Sequence, residues 1–422
     1  MAPHKFIYTL ICYLVISETL ICAKIKLDKI RGVNLGGWLV LEPWITPSLF
    51  QQFENKPFEL KAIDETTFQS KLGYQEAQRQ LELHWANWVT EEDFRKLSKW
   101  GVNLVRIPFG FWVFGDFADM VASIHHLDRG VELAAKYNIQ VLLDLHTVPG
   151  SQNGFDNSGT ACANSQFSKK CVTLCPQDFY WHKHSEYLKK TQEVLVKISD
   201  RYKSNSNIFG IELLNEPFLT IDLDFMKNFY EETYTLLRKS IPIDWVVVMH
   251  DSFRAWNWKG FMSDQTKFQN VNMDTHIYFA FDENIMKLTP DQILLLPCES
   301  QKQIAYMMQN QIPAFVGEWS LAQDDCALWL TGFQQPTRKE SILKQTCTKN
   351  DDLTFLTTFI KNQLWAWEQS KGWIFWNFKA DQDDWSFLTL IQRGVLPENA
   401  QGIPSFISDS QCIKTKSLRF LD

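Results

Sequence analysis

Ile139-Gln-Val-Leu-Leu-Asp-Leu-His146 is an apolar run interrupted only by Gln140 and Asp144 and closed by a histidine. A half-exposed strand alternates apolar and polar side chains, whereas a strand buried on both faces of a parallel sheet reads as a nearly continuous apolar run. Seven further segments are strand candidates: Gly32–Val40, Val102–Phe109, Ile208–Asn215, Trp245–His250, Val271–Tyr278, Ala314–Trp319 and Trp373–Phe378. Several share the continuous character, as in Trp245-Val-Val-Val-Met249. Helical patterns lie between them at Thr90–Trp100, Leu127–Tyr137, Phe179–Tyr202, Asp224–Lys239, Pro290–Met308 and Leu353–Gln369. The first opens on a capping pair, Thr90 with Asp93 three residues on. Eight strands alternating with helices predict an α/β fold, a (β/α)8 TIM barrel with loop insertions at its C-terminal face. A doubly wound sheet is the alternative, but no Gly-x-Gly-x-x-Gly follows any of the strands.

The composition agrees with a large packed domain. Of 422 residues, 45% are hydrophobic, which excludes a disordered chain or a stapled mini-scaffold. A net charge of −7 argues against a nucleic-acid binder, which carries a basic patch. Aromatic residues reach 14% with 17 tryptophans, more than a core of this size obviously requires, and the surplus points to a cleft where ring faces stack on a ligand.

The chain opens with Lys5, an apolar run from Phe6 to Ile16 and Leu20-Ile-Cys-Ala23 before Lys24. This is the pattern of a secretory signal over residues 1–23, leaving one domain over 24–422. A membrane-spanning helix needs about 20 apolar residues, and Glu18 interrupts this run. Residues Lys414 to Asp422 carry no hydrophobic tail, so no lipid-anchor signal is expected and the mature protein is read as secreted, extracellular or in the cell wall. After the leader seven cysteines remain: Cys162, Cys171, Cys175, Cys298, Cys326, Cys347 and Cys412. Disulfides are the default in an oxidising compartment, and the odd count leaves one thiol free or bonded between molecules. Zinc is a weaker reading, because no second Cys/His pair follows Cys171-x-x-x-Cys175 at a fitting distance. No Asn-x-Ser/Thr acceptor occurs.

Polar and aromatic residues cluster where the strand candidates end: Arg106, Asp144 with His146, Asn215 with Glu216, His276 with Tyr278, Glu318 with Trp319, and Trp376 with Asn377. In a barrel those ends meet at one rim, where the active site lies. Two of them, Glu216 and Glu318, form the carboxylate pair that glycoside hydrolysis needs, one a protonated acid and the other an ionised nucleophile or base. Arg106, His276 and Tyr278 are donors expected to hold Glu318 ionised, which leaves Glu216 as the group expected to have the raised pKa. Asn215 beside it is placed to donate to a sugar 2-hydroxyl. An isolated strand-end glutamate is ordinarily a solvated charge; it is the convergence of six strand ends that favours chemistry. His125-His126 and His182-x-His184 read as surface residues rather than a metal site, and Asp144 reads as structural. No Gly-x-Ser-x-Gly elbow or phosphate-cradling glycine loop appears.

Seven motifs in order then resemble one family. They are Arg31-Gly-Val-Asn-Leu-Gly-Gly-Trp-Leu-Val-Leu-Glu42, Asn103-Leu-Val-Arg-Ile-Pro108, Asp144-Leu-His146, Gly150-Ser-Gln-Asn-Gly-Phe-Asp-Asn-Ser-Gly159, Leu214-Asn-Glu-Pro217, Val316-Gly-Glu-Trp319 and Gly372-Trp-Ile-Phe-Trp376. Together they resemble the fungal exo-1,3-β-glucanases, retaining enzymes of glycoside hydrolase family 5, from about Lys26 to Cys412. The resemblance implies that Glu216 is the acid/base and Glu318 the nucleophile. It implies that Arg106, His146, Asn215, His276, Tyr278 and Trp376 surround the terminal glucose. Glu42, Asp156 and Asn157 match positions near the sugar hydroxyls or the pocket entrance, and Phe155 and Phe281 match a pair of phenylalanines that clamp the next glucose. It also implies disulfides joining Cys298 to Cys412 and Cys326 to Cys347. Two departures stand out. Thr160 to Gln177 is inserted or diverged, and Asn377-Phe378 replaces the more usual Ser-Trp. The expectation is a monomeric exo-glucosidase acting on 1,3-β-glucan with no metal or cofactor. Another β-glucanase specificity, and a catalytically silent glucan-binding wall protein, are the alternatives.

Overall fold

The computed structural model describes residues 27–117, 120–162, 180–347 and 351–413. Within them eight parallel strands close into a barrel in chain order. They are β1 (Ile30–Asn34), β2 (Leu104–Phe109), β3 (Gln140–Leu145), β4 (Ile208–Glu212), β5 (Val246–His250), β6 (Val271–His276), β7 (Ala314–Glu318) and β8 (Gly372–Phe375). β1 pairs with β2 on one side and β8 on the other, which completes the closure. The predicted leader, Cys171, Cys175, most of the Thr160 to Gln177 segment and the tail from Lys414 lie outside the described residues. No described helix is long and apolar enough to cross a membrane.

All eight strands stand where the apolar runs predicted them, but most are shorter at the C-terminal end. β1 stops at Asn34 rather than Val40, because the chain leaves the sheet and buries Trp38, Leu39 and Leu41 in the surrounding core; Leu35 still donates its amide to the Arg106 carbonyl, and Leu39 bridges to Phe109. Likewise Asn215, Glu216, Tyr278 and Trp376 lie just past their strands, in the first turns of the rim loops. The Thr90 cap forms as read: Asp93 accepts the Thr90 amide over 2.8 Å at the head of the helix Glu91–Lys99. Two helices without a predicted counterpart, Glu65–Leu72 and Tyr74–Trp88, complete the β1–β2 crossover.

The inside of the barrel changes character over a very short distance. Side chains two residues apart on a strand share a face. Leu104, Leu142, Val248, Phe315 and Ile374 pack together as an apolar lower layer. Two residues further along the same strands, or just past them, come Arg106, Asp144, His250, Gly317 and Trp376, on the side of the C-terminal rim. A sealed hydrophobic plug thus supports a buried charged layer, and the cavity opens above it.

Candidate active site

Arg106 organises the charged layer. Its side chain is fully buried and donates through Nε to Glu212 Oε2 at 2.7 Å, through Nη1 to Glu318 Oε1 at 2.9 Å and Asn34 Oδ1 at 3.0 Å, and through Nη2 to Asn215 Oδ1 at 2.8 Å. Asp144 Oδ2 lies 3.1 Å from Nη1 and also accepts His146 Nδ1 at 2.6 Å. A guanidinium taken out of water survives only with such pairing. Burial opposes its charge, but Asp144, Glu212 and Glu318 outweigh that and keep it protonated. Glu212 is pushed well up by burial despite Arg106. Asp144, read from the sequence as structural, is one in a specific sense: it orients His146 and completes the arginine's shell.

Above this layer lies a cavity of about 590 Å³. Of the residues singled out in the sequence, Glu42, Phe155, Asp156, Asn157, Glu216, His276, Tyr278, Phe281, Glu318 and Trp376 line it. Arg106, His146 and Asn215 sit behind that lining, almost without exposed surface, and hold it in place. Trp376 stacks on His146 with ring centroids 5.5 Å apart and planes within 5°. Its other neighbour is Gly36, where a Cβ would fall 2.7 Å from the indole ring, so only glycine fits. Asn377, at the position of the sequence departure, staples the same two loops together: its Oδ1 accepts the Gly36 amide at 2.8 Å and its Nδ2 donates to the Gly36 carbonyl at 2.9 Å.

The two carboxylates meet across one imidazole. His276 Nδ1 donates to Glu216 Oε1 at 2.7 Å and lies 3.4 Å from Glu318 Oε2. Those two oxygens are therefore no farther apart than about 6 Å. Asn157 Nδ2 donates to Glu216 Oε2 and Tyr278 OH to Glu318 Oε2, each at 2.8 Å. Glu216 occupies a left-handed backbone, φ 44°, which costs a non-glycine residue about 1–2 kcal/mol. Strain of that kind concentrates at functional positions.

The charge order differs from the sequence expectation. Burial raises both carboxylates, but Glu216 has the closer hydrogen bond and the charge of His276, together with Asn157, and ends below its ordinary value. Glu318 ends above its ordinary value, because burial and the Glu216 charge exceed the relief from His276 and Arg106. His276 stays charged: burial lowers its pKa, but Glu318 and Asp274 drive it well up. Glu318, and not Glu216, is the raised group, since the histidine leans on Glu216.

Sequence reasoning missed other lining residues, namely Trp44, Phe218, Leu219, Phe253, Asp282, Leu330, Arg338 and Trp385. They come from loops, and only the aromatic surplus hinted at them. Also missed were the buried Glu212, His250 and Asp274 on β4, β5 and β6, whose inward direction follows from the two-residue period of strands already located. His125 and His126 do not meet His182 and His184; His125 faces Asp128 one turn on in its own helix, and His126 pairs with Glu82 on a neighbouring helix. Disulfides join Cys298 to Cys412 and Cys326 to Cys347, and Cys162 is also disulfide-bonded.

Residues 65–379 match the Cellulase family, glycosyl hydrolase family 5. The chain is 36% identical to a glucan 1,3-beta-glucosidase of Blumeria graminis over 92% of its own length and 91% of that protein. It is 34% identical to a sporulation-specific glucan 1,3-beta-glucosidase of Saccharomyces cerevisiae, covering 88% and 86%. Among solved structures, a rutinosidase from Aspergillus niger superposes with a TM-score of 0.67 at 19% identity, over 87% of this chain and 98% of that one, a likeness of fold.

Proposed function

The chain belongs to glycosyl hydrolase family 5, and from that premise we propose that it is a retaining glucan 1,3-β-glucosidase that releases glucose from non-reducing chain ends. The observation that carries the reading is the pair Glu216 and Glu318 bridged by His276 at one cavity. In the first step a Glu318 oxygen bonds to the anomeric carbon as the glycosidic C–O bond breaks, and Glu216 gives its proton to the departing oxygen. In the second, water bonds to the anomeric carbon and passes a proton to Glu216, while the glucosyl–Glu318 ester bond breaks. Arg106 and Tyr278, one on each oxygen, aim the nucleophile. Glu42 takes Trp44 Nε1 on Oε2 at 2.8 Å; its buried Oε1 has no hydrogen-bond partner among the described residues and is a ready acceptor for a sugar hydroxyl. Trp376 offers a ring face to the terminal glucose, with Asp156 and Asn157 around it and His146 and Asn215 supporting the wall from behind. Phe155 and Phe281 grip the next sugar, and a sugar retained there in place of water makes glucosyl transfer a side reaction. The disulfides and the leader pattern support a secreted monomer working on cell-wall glucan.

Proton NMR of laminarin during digestion tests the reading. β-Glucose as the sole early small product is the expected result. Early α-glucose would contradict retention, mixed oligosaccharides would contradict exo attack, and no product from folded protein would leave a glucan-binding wall protein.

A further inference from the structure

Asp274, on β6, is a buried carboxylate with a hand on both halves of the site. Its Oδ1 accepts the amide of Gly317 at 2.7 Å, fixing the backbone immediately before Glu318. Its Oδ2 faces His276 Nε2 at 3.5 Å, and neither atom has another hydrogen-bond partner among the described residues. The space it fills is reserved: a Cβ on Gly317 would lie 1.9 Å from Asp274 Oδ2, so the carboxylate stands where a side chain next to Glu318 would otherwise be. Opposite, His276 Nδ1 reaches Glu216 Oε1 at 2.7 Å and Glu318 Oε2 at 3.4 Å. Of the remaining groups around the imidazole, Glu212 sets a carboxylate oxygen within 4.8 Å of both Asp274 and a His276 nitrogen, and its Oε1 has no hydrogen-bond partner among the described residues; the others are engaged elsewhere. His250, with its ring centroid 4.4 Å away, receives the Ser252 amide on Nδ1 and is kept neutral by burial and by the His276 charge. Glu212 is bound to Arg106, Asp251 accepts the Thr275 hydroxyl, and Tyr278 donates to Glu318.

Resting on the glucosidase reading, we propose that Asp274 is a positioning residue that keeps a proton on His276 Nε2, so that the Nδ1 proton is the mobile one, shared with Glu216. A histidine's reactive nitrogen is set by what its other nitrogen bonds. With Nε2–H held toward Asp274, the imidazolium gives its Nδ1 proton to Glu216 Oε1 when a sugar displaces water from the pocket. The ring becomes neutral, Glu216 becomes the acid that the first step consumes, and the proton that water returns restores the pair. This reconciles a Glu216 that rests ionised with its role as acid: the proton is stored one hydrogen bond away.

Asp274→Asn separates the idea from a merely structural role. The amide keeps an oxygen for the Gly317 N–H but turns an N–H toward Nε2, which makes Nε2 an acceptor and fixes the only ring proton on Nδ1. A structural role predicts an unchanged pH profile. The proposal predicts that the basic limb of kcat/KM moves down by about one pH unit or more, that kcat falls at least about tenfold at neutrality and above, and that KM changes little. A profile coincident with the native one would overturn it. Should the variant not fold, nitrogen-15 NMR of the native imidazoles gives an independent answer. Both His276 nitrogens should be protonated at pH 6, and a bare Nε2 there would overturn the proposal. That spectrum needs no substrate, so it stands apart from the laminarin experiment, whose failure would instead sink the glucosidase reading.

Discussion

Asn157 donates its side-chain amide to Glu216 Oε2 over 2.8 Å, reaching from a short turn after β3 to the loop that leaves β4. With His276 on the other oxygen, both lone-pair faces of Glu216 are engaged, as are both oxygens of Glu318 by Arg106 and Tyr278. The two carboxylates are thus held separately, and their roles can be tested separately.

Glu216→Gln and Glu318→Gln should each lower laminarin hydrolysis by about 10³-fold or more. Azide tells them apart. With an aryl β-glucoside whose leaving group needs no acid, truncating Glu216 to Ala lets azide attack the glucosyl–Glu318 ester and give β-glucosyl azide. Truncating Glu318 to Ala lets azide take the nucleophile's place and give the α-anomer. NMR of the azide product reads the outcome, and swapped anomers would reverse the assignment.

The pH profile follows from the charge order. Glu318 must be ionised to attack, and burial together with Glu216 raises its pKa. The acidic limb of kcat/KM should therefore lie above the ordinary carboxylate range, with activity lost as pH falls through it. His276→Gln removes the cation that lowers both carboxylates, so the limb should move up by about one pH unit. A downward move, measured with an aryl glucoside, would contradict the placement of His276.

Phe155 meets Phe218 edge to face at 5.4 Å, while Phe281 leans on Tyr278 at 5.5 Å. Replacing each with Ala should cost about 1 kcal/mol or more of oligosaccharide recognition, roughly fivefold to tenfold in kcat/KM on laminaritriose. Hydrolysis of an aryl glucoside should fall much less. Equal losses on both substrates would remove the clamp.

The Cys298–Cys412 bridge ties the helix Pro290–Asn310 to the last described turn across a separation of 114 residues. Replacing both cysteines with Ala should cost about 5 kcal/mol of stability. The Cys326–Cys347 bridge spans 21 residues and should cost less if lost, about 3 kcal/mol. Denaturation midpoints of the two double variants give the comparison.

How far the sequence could be read depends on what each signal encodes. The strands were visible because burial on both faces leaves little room for polar residues, as in Val141-Leu142-Leu143. Their ends were blurred because loop residues such as Leu39 and Leu41 are as buried as strand residues, and burial is what the pattern reports. The helix Tyr74–Trp88 was missed because it starts at Gly73 with no side-chain cap and shows only Ala77, Leu81 and Trp85 to the core. The site residues were legible as strand ends converging on a rim. The charge order was not, because it turns on whether His276 stands 2.7 Å from one glutamate or from the other. No spacing along the chain records a difference under one ångström.

The two-storey interior of the barrel has a consequence for how such a molecule changes over time. Arg106 and Asp144 ride on strands two residues above the oily plug, and Asp274 and Glu318 ride on β6 and β7, so their mutual distances are fixed by sheet geometry. Lengthening or replacing a rim loop alters what the pocket admits, yet leaves the spacing of these charges alone. Inheritance can therefore experiment freely with appetite while the reaction is carried forward intact.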